Sequence, residues 1–324
     1  MSSKLPSLSE IETAAALVYQ HMPATPQYNW PLLDEAVGTE VWVKHENHTR
    51  LGAFKIRGGI VFFEKLKRER PELRGVVAAT RGNHGQSVGF AARMVGLPAT
   101  IVVPHGNSRE KNASMRALGV ELIEHGEDFQ AAYEFAEGLA VERGLMMVPS
   151  YNSPIVLGVA TYCLEFLRGA PELDTVYVPV GMGSGVCAMV AAREALGLKT
   201  KVVGVVSTGA PAYRLSFEAG RKIEHPVTTD LADGMACRAP NDEALAAMIA
   251  GVERLVSVND DEVASAMRML FACTHNVAEG AGAASLAALL QEREAMRGKR
   301  IGVTLCGGNV DAEVFAKVLA GSWG

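Results

Sequence analysis

The sequence predicts an α/β fold of two open parallel-sheet domains, and three observations predict it. Short apolar runs alternate with segments of helical period through most of the chain. The alternation comes in two series that meet near Tyr151. Glycine clusters fall where a strand gives way to a helix. With 324 residues, 48% hydrophobic and 21% charged, the chain is long enough for about two domains and apolar enough for a sizeable core.

In the first series, residues 76–80 read as a strand, followed by a helix from His84 to Gly96. A strand at 99–103 leads to a helix at 110–118, closed by Gly119 in the position that favours a left-handed cap. Residues 120–124 form the next strand. The helix at 128–143 carries Phe129, Ala132, Tyr133, Ala136 and Leu139 at helical spacing, with Gly144 behind it. Residues 145–148 complete the series. Strands joined by helices in this way pair in parallel with right-handed crossovers.

The second series begins with a strand at 175–180 and a helix at 186–196 behind a glycine-rich turn. A strand at 201–206 follows. Asn259 with Glu262 forms a capping box that opens a helix to Phe271. The last strand, 300–305, runs into Cys306-Gly307-Gly308-Asn309, and a short helix closes the series.

Composition excludes several function classes. The 31 Lys+Arg against 36 Asp+Glu leave a net charge of −5, so no basic surplus exists for nucleic acid or an acidic membrane surface. No apolar run of transmembrane length and no signal-type segment is present. The five cysteines are scattered without a Cys-x-x-Cys pair, which argues against disulfides and structural zinc and for a reducing cytoplasm. Cys273 and His275 lack further ligand types nearby, so no metal is expected.

The turn Gly181-Met182-Gly183-Ser184-Gly185 suits a phosphate, because helix N-terminal amides without an intervening Cβ receive anions. It is not a nucleoside-triphosphate loop, and it lacks the third glycine of the dinucleotide pattern. The next strand also ends at Ser207, without an acidic residue for a ribose, so a phosphate monoester fits better than a dinucleotide. A dinucleotide-dependent dehydrogenase is the out-of-class alternative.

Lys55 lies in Leu51-Gly52-Ala53-Phe54-Lys55-Ile56-Arg57-Gly58-Gly59, an apolar, glycine-bounded setting that can lower a lysine pKa and favour Schiff-base chemistry. Thr80-Arg81-Gly82-Asn83-His84-Gly85 is a second anion-receiving turn, suited to a carboxylate. Cys306 to Val310 ends a strand, where ligands gather in open parallel sheets. Together these motifs resemble the fold-type II pyridoxal-phosphate enzymes (tryptophan synthase β-like), in particular the serine/threonine dehydratase and serine racemase group. The resemblance runs from the Pro23–Pro26 region to Asp311.

The resemblance implies pyridoxal 5′-phosphate as cofactor, with Lys55 as its Schiff-base lysine and Phe54 packed on its ring. It implies that Asn83 bonds the cofactor 3′-oxygen and that Gly181, Met182, Gly183, Ser184 and Gly185 cup the phosphate. Glu279 lines the cofactor pocket, and Cys306 stands where the family has a serine beside the pyridine nitrogen. Thr80, Arg81, Gly82, Asn83 and His84 form the loop that receives the substrate carboxylate. Thr80 also suits a plain strand end, and Glu279 a helix-cap acid. Tyr151, Met182 and residues 236–238 are candidates for lining the side-chain pocket.

The activity implied is β-elimination, which converts a 3-hydroxy-amino acid to a 2-oxo acid and ammonia. Threonine or serine is the default substrate, with 3-phenylserine and 3-hydroxyaspartate left open. A racemase or a β-replacement synthase is the in-class alternative. Arg81 replaces the serine that acts as opposite-face acid/base in the racemase, and it cannot lose its proton at ordinary pH. Ser207 replaces the usual divalent-cation glutamate. The resemblance also implies a homodimer, a small domain at 46–151, and a large domain made of 1–45 and 152–324.

Overall fold

The computed structural model describes residues 5–323. The strands are β1 (Gln27–Asn29), β2 (Glu40–His45), β3 (Val76–Ala79), β4 (Ala99–Val103), β5 (Glu121–Glu124), β6 (Met146–Met147), β7 (Thr175–Pro179), β8 (Lys201–Ser207), β9 (Arg254–Val258) and β10 (Arg300–Leu305). They form a six-stranded sheet in the order β1-β2-β10-β7-β8-β9 and a four-stranded sheet in the order β5-β4-β3-β6. Every pairing is parallel except β1 with β2, an antiparallel edge that the α/β reading did not include.

The strands follow from composition. β3 is Val-Val-Ala-Ala and buried throughout, as a parallel strand covered on both faces requires. β8 carries valines on both faces and is buried after its first residue. The Asn259–Glu262 capping box forms as predicted, with each backbone N–H donating to the other side chain at 2.8 and 2.9 Å. Its helix runs on to Thr274, past the expected end at Phe271, and closes on His275 at φ 53°.

Several elements were not read from the sequence. β1, β2 and β9 are among them, as are the helices Lys55–Glu69, Ser153–Gly169 and Gly280–Glu292. The helix Lys55–Glu69 contains Gly58 and Gly59, which weaken helix propensity. Those glycines serve packing: a Cβ at Gly58 would lie 2.9 Å from the side chain of Ile155 on the neighbouring helix.

A buried charge cluster fixes the start of that helix. Arg57 Nε donates to Glu46 Oε2 at 2.8 Å and Arg57 Nη1 donates to Glu165 Oε1 at 2.6 Å. Lys44 Nζ donates to Glu165 Oε2 at 2.7 Å. The cluster ties the end of β2, the helix Lys55–Glu69 and the helix Ser153–Gly169 into one rigid unit two residues beyond Lys55. Among the described residues, no helix is long and apolar enough to cross a membrane.

Candidate active site

Lys55 opens its helix directly after the segment that meets the end of β10. The Phe54 N–H donates to the carbonyl of Cys306 at 3.0 Å, and Ala53 bridges Gly307. Lys55 Nζ lies 5.0 Å from the centroid of the Phe54 ring. Burial pushes the lysine pKa below its ordinary value, while Cys306 and Glu279 oppose the shift.

Cys306 is 6% exposed, and burial pushes its thiol well above the ordinary range. It is therefore an S–H group, a weak donor, at neutral pH. Glu279 precedes the helix Gly280–Glu292, is 3% exposed and makes no capping bond with its side chain. Its N–H donates to the carbonyl of Gly307 at 3.1 Å. Burial raises its pKa to about 7, Lys111 opposes this, and Asp233 adds to it. One carboxyl oxygen, Oε2, is buried without a hydrogen-bond partner.

The two glycine-containing turns reach this point from opposite sheets. At the end of β3, Asn83 Nδ2 donates to Glu279 Oε1 at 2.6 Å. His84 is half-buried beside Lys55, and desolvation, then Lys55, pushes its pKa down to about 3, so it is neutral. Its Nε2 is a second buried atom without a partner. Thr80 Oγ1 accepts the Gly82 N–H at 3.1 Å, so it shapes the turn, and Arg81 is exposed.

At the end of β7, the 181–185 turn is held by backbone proximity. A Cβ at Gly181 would lie 2.3 Å from the carbonyl oxygen of Gly234, and Gly183 has φ +97°. The Tyr213 hydroxyl donates to the Met182 carbonyl at 2.9 Å. Ser184 and Gly185 begin the helix Ser184–Leu196 and are buried. Tyr162 joins this turn to Lys55: its ring is 6.0 Å from that of Phe54, and its hydroxyl would lie 3.6 Å from a Cβ at Gly185.

Phe54, Lys55, Asn83, His84, Glu279 and Cys306 are thus brought together, with the 181–185 turn joined to them through Tyr162. The proposed pocket-lining residues are not all part of this group. Arg238 is exposed and sits 3.9 Å from Glu224, turned to solvent. Cys237 is buried and donates to the carbonyl of Ala239, with its sulfur 3.6 Å from that of Met182. Tyr151 is partly buried against Cys187. Ser207 Oγ accepts the Gly209 N–H at 3.0 Å. Among the described residues, no group of three His, Cys, Asp or Glu side chains could hold a metal.

Two residues at the site had no signal in the sequence. Lys111 Nζ pairs with Asp233 at 2.5 Å, joining the helix Arg109–Ala117 to the loop behind the 181–185 turn. Burial works against the Lys111 charge, but Asp233 and then Glu279 hold its pKa above the ordinary value. Both residues stand in unremarkable local sequence, and only the fold joins them.

The geometry fits pyridoxal phosphate. A partly buried lysine lies near orphaned polar atoms on Glu279 and His84, and a glycine cradle at a helix N-terminus is joined to it through Tyr162. L-threonine ammonia-lyase of Thermotoga maritima is 35% identical over 289 residues, 89% of this chain and 72% of that protein. Phenylserine dehydratase of Ralstonia pickettii is 34% identical over 322 residues, covering 98% of each chain. Maize serine racemase superimposes with a TM-score of 0.90 at 27% identity, over 98% of both chains. A family described as pyridoxal-phosphate dependent enzyme matches residues 18–307, and the chain belongs to that family.

Proposed function

We propose that this protein is a pyridoxal-phosphate-dependent ammonia-lyase that dehydrates a 3-hydroxy-amino acid to a 2-oxo acid and ammonia. The observation that carries the reading is the buried thiol of Cys306 at the end of β10, bound through its backbone to the segment that presents Lys55. When bound, pyridoxal phosphate supplies an electron sink that acidifies the substrate Cα–H. Lys55 anchors the cofactor and, once displaced, takes the Cα proton, a task its lowered pKa suits. The Cys306 S–H is too weak a donor to enforce protonation of a ring nitrogen, which favours prompt loss of the β-hydroxyl over transamination.

The other residues bind and orient. Phe54 packs beside the ring, and Asn83 directs an amide N–H at the cofactor 3′-oxygen. Gly181, Met182, Gly183, Ser184 and Gly185 receive the phosphate. The turn from Thr80 through Arg81, Gly82 and Asn83 to His84 receives the substrate carboxylate. The segment 46–151 acts as a small domain inserted between 1–45 and 152–324, and it closes over the site to exclude water. The family resemblance supports a homodimer. The five free cysteines suit a reducing cytoplasm.

The charges favour a neutral β substituent. Lys111 is already paired with Asp233, and Arg238 faces away, so neither of these cations among the described residues awaits a second carboxylate. Turnover should therefore be measured on L-threonine, L-serine, 3-phenylserine and 3-hydroxyaspartate by 2-oxo acid release. One or more of the first three should be substrates, and negligible turnover on all four would sink the reading. Lys55→Ala should abolish the visible absorbance of the bound cofactor and lower kcat by roughly 10²–10⁴-fold.

A further inference from the structure

Asn309 joins three segments that meet at the site. Its Nδ2 donates to the Leu51 carbonyl at 2.7 Å and to Asn83 Oδ1 at 2.8 Å. Leu51 lies four residues before Lys55, Asn83 opens the helix Asn83–Met94, and Asn309 itself follows β10. The Gly308 N–H donates to the Gly52 carbonyl at 2.9 Å, holding the same strands of chain together.

The direction of these bonds is forced by chemistry. A backbone carbonyl only accepts, so the Asn309 atom facing Leu51 must be its NH2 group. That NH2 has a second hydrogen, which goes to Asn83, so the Asn83 atom facing Asn309 must be its oxygen. The Asn83 NH2 is thereby aimed at Glu279, whose Oε1 accepts one of its hydrogens. The chain Leu51–Asn309–Asn83–Glu279 is thus anchored at its Leu51 end, where the backbone carbonyl can only accept. One Asn83 N–H goes to Glu279, and the other has no hydrogen-bond partner among the described residues. A flipped Asn83 would set two NH2 groups against each other.

We propose that Asn309 is a positioning residue that locks the amide of Asn83 in one orientation, so that its free N–H is presented to the 3′-oxygen of the cofactor. The inference rests on the cofactor role given to Asn83 above, and it assigns Asn309 no contact with substrate. Asn309→Asp keeps the shape but removes both donated hydrogens, placing an acceptor against the Leu51 carbonyl and Asn83 Oδ1.

The test is a double-mutant cycle of Asn309→Asp with Asn83→Ala in the holoenzyme. It is read by kcat/KM and by the visible circular dichroism of the bound cofactor. Asn309→Asp alone should lower kcat/KM by roughly tenfold, the scale of one buried hydrogen bond left unmade, and change the visible dichroism. In the Asn83→Ala background it should change neither further. Additive effects would show that Asn309 acts by holding the fold alone, and would overturn the proposal. Asn309→Ser, which removes the contact to Asn83 without adding charge, provides the same cycle if the aspartate variant does not fold. A wild-type protein that binds no pyridoxal phosphate would overturn the functional reading. A coloured wild type with an additive cycle would overturn this inference alone.

Discussion

The turn from Thr80 to Gly85 and the turn from Gly181 to Gly185 share a local plan, a parallel strand running into a helix, but use it differently. The second is a backbone device. Its glycines let the chain approach Gly234, and Tyr213 grips the Met182 carbonyl. The first works through side chains: Asn83 reaches Glu279, and His84 lies beside Lys55, while Thr80 merely closes the turn. A cradle of amides suits an anion held by many bonds, whereas placed side chains suit a group that must be oriented.

Substitutions can break or sharpen that contrast. The largest effect is expected from Gly181→Ala, because its methyl would meet the Gly234 carbonyl oxygen at 2.3 Å. Cofactor affinity should fall by about a hundredfold or more, measured by fluorescence titration, the scale of an overpacked backbone contact. An unchanged affinity would remove the cradle from the account.

Glu279→Gln probes the side-chain turn. Because the folded protein raises the Glu279 pKa from 4.5 to about 7, its neutral form favours the fold below about pH 4.5 and that support is lost as pH rises through 7. The glutamine variant of the cofactor-free protein should therefore be more stable than wild type at pH 8, by up to about 3 kcal/mol. The gain should vanish near pH 4.5. Urea denaturation at both pH values decides it, and a gain equal at both would show that the carboxylate is not strained.

The smallest effect belongs to Arg81→Ser. Arg81 is exposed, so stability should move by less than about 0.5 kcal/mol. Chiral chromatography of recovered serine should then reveal racemisation that the wild type lacks. Its absence would show that the serine missing from this turn does not decide between elimination and racemisation.

Much of the site was legible because its residues sit in short local patterns: Lys55 before a glycine pair, Asn83 and His84 behind β3, the 181–185 turn, and Cys306 ending β10. The contacts that connect them were not legible. Asn83 and Glu279 are 196 positions apart, and Lys111 and Asp233 are 122 apart. Only the fold brings such pairs together. β2 was hidden for a related reason. Its Lys44 and His45 are fully buried, which reverses the polar-outside rule, because Glu165 and Trp30 supply their partners.

The clasp between the helix Arg109–Ala117 and the opposite sheet is made of polar groups. Lys111 holds Asp233, Ser108 donates to Asp311, and the Ala312 N–H donates to Glu110. On the other side, the helices Lys55–Glu69 and Ser153–Gly169 meet through apolar packing and a buried ion cluster. Water can replace the first set of bonds at little free-energy loss, but it cannot replace the second. The two sides of the molecule thus differ in kind, one joined by bonds that solvent can imitate and the other by contacts that it cannot.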